Sequence, residues 1–266
     1  MVIGALIDAG ADPNQLAEEL KKLQIEDEYE LRWKKVVKNG ITSTKFDVVL
    51  LNNQNHQLSH THSHEHNHSH DDHNHEHSDE HIHEHAHSHS HDHRHSHDHR
   101  SYQDIIGLIE RAGFSEQIKE TALKIFQRIG QAEGLIHGIP LEKVHFHEVG
   151  AVDSIIDIIG AVILINQLEV SVIKSSPIPV GSGKIHIDHG IYPVPAPATL
   201  ELLKGVPIEQ TNIRAELTTP TGAAIVSVLA KEFCTIPSME VQAIGYGAGT
   251  KTFADHPNVL RIIIGQ

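Results

Sequence analysis

Twenty of the chain's 26 histidines lie between His56 and His99. His60, His62, His64, His66, His68 and His70 form one run at every second position. His81, His83, His85, His87, His89, His91, His93, His95, His97 and His99 form a second. Neutral imidazole is a ligand for nickel, zinc and copper, so this tract reads as a collector of transition metal ions. Its spacers are mostly Ser, Asp, Glu, Asn and Arg. Such a composition cannot bury enough apolar surface to offset its ordering entropy, and the segment is expected to be disordered. The tract carries −8 with neutral histidines and +12 with all of them protonated. An unperturbed histidine titrates near pH 6.5, so acidification should release the metal. Many interchangeable ligand sets give capacity rather than selectivity, and copper outcompetes nickel on intrinsic affinity. A solvated linker with incidental metal affinity is the plainer alternative. The internal position and the lack of six consecutive histidines argue against a purification tag.

A second constellation is His145-Phe-His147-Glu148-Val-Gly-Ala-Val-Asp153-Ser-Ile-Ile-Asp157. On a strand, His145 and His147 share a face. On the helix that follows, Asp153 and Asp157 share another. That helix is otherwise rich in Ile, Val and Leu, and a carboxylate inside it needs a cation, a metal or several donors. His145, His147, Asp153 and Asp157, with Glu148 nearby, form a candidate divalent-metal site. Asp153 as a cap, with two ordinary histidines, is the alternative. His186-Ile-Asp188-His189 is another ligand-type cluster, or else a polar loop ahead of the stiff Pro193-Val-Pro195-Ala-Pro197 run.

Two further segments suit an anion. Thr218, Thr219 and Thr221 surround a helix start, where hydroxyls and free N–H groups can hold a phosphate, or simply cap the helix. Gly245, Gly247 and Gly249 permit close backbone approach to a ligand, although a bulged hairpin would use glycines in the same way. Gly181-Ser-Gly-Lys184 lacks the first glycine and the closing hydroxyl of a phosphate loop and is discounted.

These residues need elements to hold them. Met1–Ala9 has a helical pattern with Gly10 as its cap, and Asp12-Pro13 opens a second helix reaching Leu23. Tyr29–Val37 and Ile41–Leu51 are strands around Asn39-Gly40, a type I′ hairpin signal. Ser101–Ala112 and Ser115–Ala132 are amphipathic helices with serine caps. Val144–Glu148 is short and extended, Ala151–Leu168 an apolar helix and Val170–Ser176 a strand. A Pro/Gly-rich segment, Pro177–Pro197, leads to a short helix ending near Lys204. Thr221–Phe233 is expected to be helical, and Val241–Tyr246 and Val259–Ile264 are strands. Helices and strands mix without strict alternation, which favours an α+β class with a disordered His-rich insertion. Residues 1–55 and 101–266 are expected to complete one domain around the tract at 56–100.

Formal charge is −14, and no basic patch suggests nucleic acid. The longest apolar stretch, Ile155–Ile165, is interrupted by Asp157 and is too short for a bilayer. Cys234 is the sole cysteine, so neither an intrachain disulfide nor a cysteine metal cluster is expected. With no secretory signal pattern, the chain reads as cytoplasmic.

Several long motifs, taken together, resemble the LarC family of nickel-insertion proteins. They are the stretch from His145 to Asp157, His189-Gly-Ile-Tyr-Pro-Val-Pro-Ala-Pro-Ala-Thr199, Thr219-Pro-Thr-Gly222, and Gly245-Tyr-Gly-Ala-Gly-Thr-Lys251 with Pro257-Asn-Val-Leu-Arg261. An internal histidine tract after the first hairpin is also typical of that family. The resemblance implies insertion of Ni²⁺ into pyridinium-3,5-bisthiocarboxylic acid mononucleotide. The metal is placed between the two sulfurs and bonded to a ring carbon, as in maturation of the lactate racemase cofactor. It further implies a chelatase or cyclometallase of the lyase class, dependent on CTP and on Mn²⁺ or Mg²⁺. The family opens with a strand and a Ser/Gly-rich loop ending in Gly-Asp-Met, whereas this sequence starts at Met1. The family also ends in a CTP-binding domain, whereas this sequence stops at Gln266. The chain thus resembles the N-terminal part, and a C-terminal CTP-binding partner chain is expected. A homo-oligomer is compatible with the sequence.

A rival class is a non-enzymatic nickel or zinc storage or chaperone protein. A third is a metal-dependent hydrolase using His145 and His147. Calorimetry should detect several Ni²⁺ ions per chain at about pH 7.5 and the loss of most of them by about pH 5.5, because ligation needs neutral imidazole. One site per chain, unchanged by deleting the tract, would overturn the collector assignment.

Overall fold

α1 (Val2–Asp8) has no polar side chain before its last residue, so it needs apolar cover on all sides. Asp12 caps α2 (Pro13–Leu20), accepting from the Asn14 N–H at 2.8 Å, and Pro13 takes the first helical position. A 3-10 turn, Lys21–Leu23, follows. β1 (Tyr29–Lys38) and β2 (Ile41–Leu50) form the antiparallel hairpin expected around Asn39-Gly40. Asn39 and Gly40 take φ of 46° and 83°, as a type I′ turn requires. α3 (Tyr102–Arg111) opens with a reciprocal Ser101/Asp104 capping box. Ser115 caps α4 (Glu116–His137), which runs past the expected end at Ala132. Gly138 stops it in a left-handed conformation at φ 66°. α5 (Val152–Gln167) is the long apolar helix.

The second half alternates short elements. β3 (Ile173–Ser175), β4 (Ile178–Pro179), β5 (Lys184–Ile187) and β6 (Gly190–Pro193) precede α6 (Pro197–Leu202). β7 (Ile208–Glu209), α7 (Pro220–Leu229), β8 (Ala230–Phe233), β9 (Val241–Ala248) and β10 (Val259–Gly265) complete it. One expectation is corrected. The helix expected to reach Phe233 gives way at Ala230, where the backbone finds a parallel partner in β3 and Glu232 pairs with Lys174 at 2.6 Å. Within the Pro/Gly-rich segment, β5 and β6 form an antiparallel hairpin. The mixture of helices with several small sheets is the α+β class expected.

The computed structural model describes residues 1–51, 100–146, 149–187 and 190–266. Chain contacts separate a body, Met1–Asn52 with Asp98–Gln266, from a second unit, Asn53–His97, which lies outside the described residues. The expected disorder of the histidine tract therefore also falls outside them. Among the described residues no helix is long and apolar enough to cross a membrane.

In the body, the main sheet runs β1-β2-β9-β10. β1 and β2 pair antiparallel along their length, as do β9 and β10. β2 and β9 run parallel and share a single bridge, Thr44 with Gly247. α1 lies on β9 and β2 with its other side on α5. α5 also receives α2, α4 and α7, and Ile155, Ile156, Ile158 and Ile159 are fully buried among them. Glu28 gathers both ends of the histidine-rich insertion. Its carbonyl accepts from the Leu51 N–H at 2.9 Å, and its carboxylate pairs with the Arg100 guanidinium.

Asp8 ties this assembly together. Its side chain is 9% exposed and accepts from the Thr44 hydroxyl at 2.6 Å and the Tyr246 N–H at 2.8 Å, and it pairs with Lys35. Burial opposes its charge, but these hydrogen bonds outweigh that and hold the carboxyl below its ordinary range. Asp8→Asn should cost about 1–2 kcal/mol at neutral pH, measured by denaturant unfolding. With a depressed folded-state pKa, the contribution is complete above the ordinary value of 3.8 and is lost as pH falls through the folded value. The gap between wild type and variant should therefore close in acid, and a gap that is constant with pH would refute the assignment.

Candidate functional site

β2 and β9 part immediately after their shared bridge, and a cleft of about 360 Å³ opens there. Residues 45–48 line one wall and residues 248–251 the other. α5 presents Asp153 and Asp157 to the same space, and the start of α7 presents Thr219. Glu216, Leu217, Phe253, Asn258 and Met1 complete the lining. The cleft thus combines carboxylates from Asp47, Asp153, Asp157 and Glu216 with amines from Lys45 and Lys251.

The two α5 carboxylates are unlike. Asp153 stands exposed in the first helical turn, where the helix dipole favours a negative charge, and accepts from the Ser154 N–H at 2.8 Å. Asp157 is one turn deeper, between Ile155, Ile156 and Ile158, all fully buried. Burial pushes its carboxyl above the ordinary range. Lys45 pairs with Asp47 on the opposite wall.

The structure brings together some of the residues singled out from sequence and separates others. Asp153, Asp157, Thr219 and Gly249 share the cleft. His145 does not line it. It is exposed and bridged to Ser101 at the start of α3. His186 is exposed on β5, opposite Ile191, and does not line the cleft either. His147, Glu148 and His189 lie outside the described residues. Thr218 donates to the Pro179 carbonyl at 2.7 Å and so braces the segment before α7. Thr219 is the cap of α7, accepting from the Gly222 N–H at 3.4 Å. Thr221 lies in the first turn of α7 and does not line the cleft. Among the described residues, no three His, Cys, Asp or Glu side chains are grouped so as to hold a metal ion.

Gly245 and Gly247 serve a different neighbour from the ligand expected for them. Two residues apart on β9, they face α1. A Cβ at Gly245 would strike the Ala5 carbonyl and Ala9, and one at Gly247 would strike the Met1 carbonyl and Ala5. Met1, Ala5 and Ala9 fall on one stripe of the helix, so the room left by the two glycines is filled by its backbone.

The profile of the nickel insertion protein family matches residues 1–266. The chain belongs to the nickel insertion protein family. It is 47% identical to the pyridinium-3,5-bisthiocarboxylic acid mononucleotide nickel insertion protein of Geobacillus kaustophilus, over all of this chain and 56% of that one. Identity to the protein of the same name from Staphylococcus epidermidis strain RP62A is 43%, over 99% of this chain and 55% of that one. A putative nickel insertion protein of Dictyoglomus thermophilum is 38% identical, over 100% of this chain and 57% of that one. The chain therefore spans little more than half the length of these relatives. No solved structure matches it.

In this member of the nickel insertion family, the cleft also uses residues not singled out by their chemistry. Lys45 and Asp47 sit on an ordinary alternating strand, which carries no functional signal. Thr250, Lys251 and Asn258 belong to the quoted glycine-rich and Pro257-Asn-Val motifs, so their segment was visible although their roles were not. Gly245→Ala and Gly247→Ala should each lower stability by about 2–3 kcal/mol, because the clashing atoms are backbone. Gly113→Ala meets nothing within 4 Å and should change stability by less than about 0.5 kcal/mol. Equal melting temperatures for all three variants would contradict this packing.

Proposed function

We propose that this chain is the nickel-handling part of an enzyme that inserts Ni²⁺ into pyridinium-3,5-bisthiocarboxylic acid mononucleotide, the chelation step in making the nickel-pincer cofactor of lactate racemase. The observation that carries this reading is one cleft holding Asp153 and Asp157 together with Thr219, Thr250 and Lys251. Its volume of about 360 Å³ lies in the range, roughly 300–1,000 Å³, in which small-molecule ligands are enclosed.

In this reading the histidine tract gathers Ni²⁺ and the body supplies the place of transfer. Two carboxylates make an open, weak nickel site. That suits a metal in transit, since a closed set of four ligands would retain it. The thiocarboxylate sulfurs are softer donors than carboxylate oxygens, so nickel moves from Asp153 and Asp157 to the substrate. The Thr219 hydroxyl at the α7 start, Thr250 and Lys251 suit the mononucleotide phosphate. His147 and Glu148, just ahead of α5 in sequence, are assigned as further donors on the path. CTP with Mn²⁺ or Mg²⁺ is assigned to a C-terminal partner, as the family resemblance implies.

Two sets of variants test this, assayed with the partner, CTP and a divalent ion present. Asp153→Ala, Asp157→Asn and His147→Ala should each slow nickel transfer by about 10–100-fold, the usual cost of disturbing a metal site. Bulk nickel binding should stay near wild type, because all 20 tract histidines remain. Lys251→Ala should instead weaken mononucleotide binding about tenfold, from a lost charge-assisted contact. Deleting residues 56–99 should spare mononucleotide binding and reduce transfer only when nickel is scarce. Wild-type transfer by both Asp153→Ala and His147→Ala would end the site assignment, and total loss of function on deleting the tract would favour storage.

A further inference from the structure

The β9–β10 connection, residues 249–258, supplies Gly249, Thr250, Lys251, Phe253 and Asn258 to the cleft. Its neck is closed by the Gly249 N–H on the Asn258 carbonyl at 2.9 Å, and inside it the Asn258 amide donates to the Lys251 carbonyl at 2.9 Å. From outside, a distant piece of chain grips it. Lys38 Nζ donates to the Thr250 and Lys251 carbonyls, both at 3.2 Å, and to the Thr252 hydroxyl at 3.3 Å. Asn39 Nδ2 donates to the Phe253 carbonyl at 3.2 Å and the Ala254 carbonyl at 3.0 Å. An ammonium has three donors and an amide nitrogen two, so both groups spend their full donor capacity on this one loop.

These bonds are all exposed to solvent. Water would satisfy the same carbonyls, so the net gain in stability is small. What the bonds fix is position. Asn39 and Gly40 form a two-residue turn with both residues in the left-handed region, and β1 and β2 are paired through the whole hairpin, so the donors are presented from a stiff support. A groove wall held from a stiff support presents its side chains at a constant distance, and catalytic and binding geometry is sensitive to shifts of about 1 Å.

We propose that the tip of the β1–β2 hairpin is a latch, in which Lys38 and Asn39 act as positioning residues that hold the 249–258 wall so that Thr250 and Lys251 face the mononucleotide. The ligand half of this statement rests on the function proposed above, and the latch half does not. Neither residue touches the substrate, and both act through the loop.

The test uses the full-length chain with the double substitution Lys38→Met/Asn39→Gly. Glycine keeps the turn conformation while removing the amide. Trypsin cleavage after Lys251 reads the latch directly, because the carbonyl of the scissile bond is one that Lys38 holds. Cleavage at Lys251 should rise about tenfold or more as the loop opens. The melting temperature should stay within about 2 °C of wild type. The dissociation constant for the mononucleotide should rise about tenfold, as expected for displaced contacts. Lys38→Arg, which retains donors and charge, should restore slow cleavage and tight binding in an otherwise wild-type chain. Unchanged cleavage overturns the latch. So does faster cleavage at lysines throughout the body with a lowered melting temperature, because the contact would then be ordinary fold support. Faster cleavage at Lys251 alone with unchanged mononucleotide affinity overturns the positioning role. If the wild-type chain binds no mononucleotide, the function proposed above fails, and selective cleavage at Lys251 still supports the latch.

Discussion

One helix lies on one strand with nothing larger than an alanine methyl between them. α1 meets β9 backbone to backbone, because Gly245 and Gly247 offer nothing on that face and α1 offers Ala5 and Ala9. Gly4 repeats the device toward β2, where its missing Cβ would strike the Thr44 carbonyl. Packing this close leaves little freedom. α1 is confined between the sheet and α5, and Asp8 can reach β1, β2 and β9 at once only because the helix sits so low. Gly160 plays the same part on α5, where a Cβ would meet Ile3 and Leu16. Three layers are thereby held at fixed spacing, and the cleft opens where the strands under α1 separate.

The electrostatics of the cleft follow from which helix ends reach it. α5 and α7 both begin there, so the positive ends of two helix dipoles face the same space as Lys45 and Lys251. Against them stand Asp47, Asp153, Asp157 and Glu216. Such a mixture suits a ligand that carries both signs, as the mononucleotide proposed above does. The difference between Asp153 and Asp157 adds a gradient. The outer carboxylate is wet and supported by a helix start, while burial presses the inner one toward its neutral form.

Much of the scaffold was legible because its signals are local. Asp12-Pro13, Ser101 and Ser115 each mark a helix start by supplying an oxygen to a free N–H, and Asn39-Gly40 marks its hairpin by backbone conformation alone. The pairing of Asp153 with Asp157 was legible for the same reason, since four residues along a helix is one turn. The remainder depended on neighbours distant in sequence. Glycines at 245 and 247 announce room without saying who fills it, and a helix was the occupant rather than a ligand. The ends of α7 and β8 were misjudged because Ala230 obeys a strand from another part of the chain. His145 was grouped with the aspartates by sequence proximity, yet it stands at the start of α3, outside the cleft that they share. Lys45 and Asp47 gave no warning, since a strand that happens to border a cleft looks like any other.

Glu28 holds Leu51 by its carbonyl and Arg100 by its carboxylate, so the fold closes on itself at that corner whatever is spliced between them. Lengthening a segment whose ends are already joined costs only a slowly growing, logarithmic entropy. Descendants of this gene can therefore gain or lose residues there without renegotiating a single contact of the core. The same corner is a ready port for the protein engineer, where a peptide tag or a fluorescent reporter could be grafted in place of the native segment.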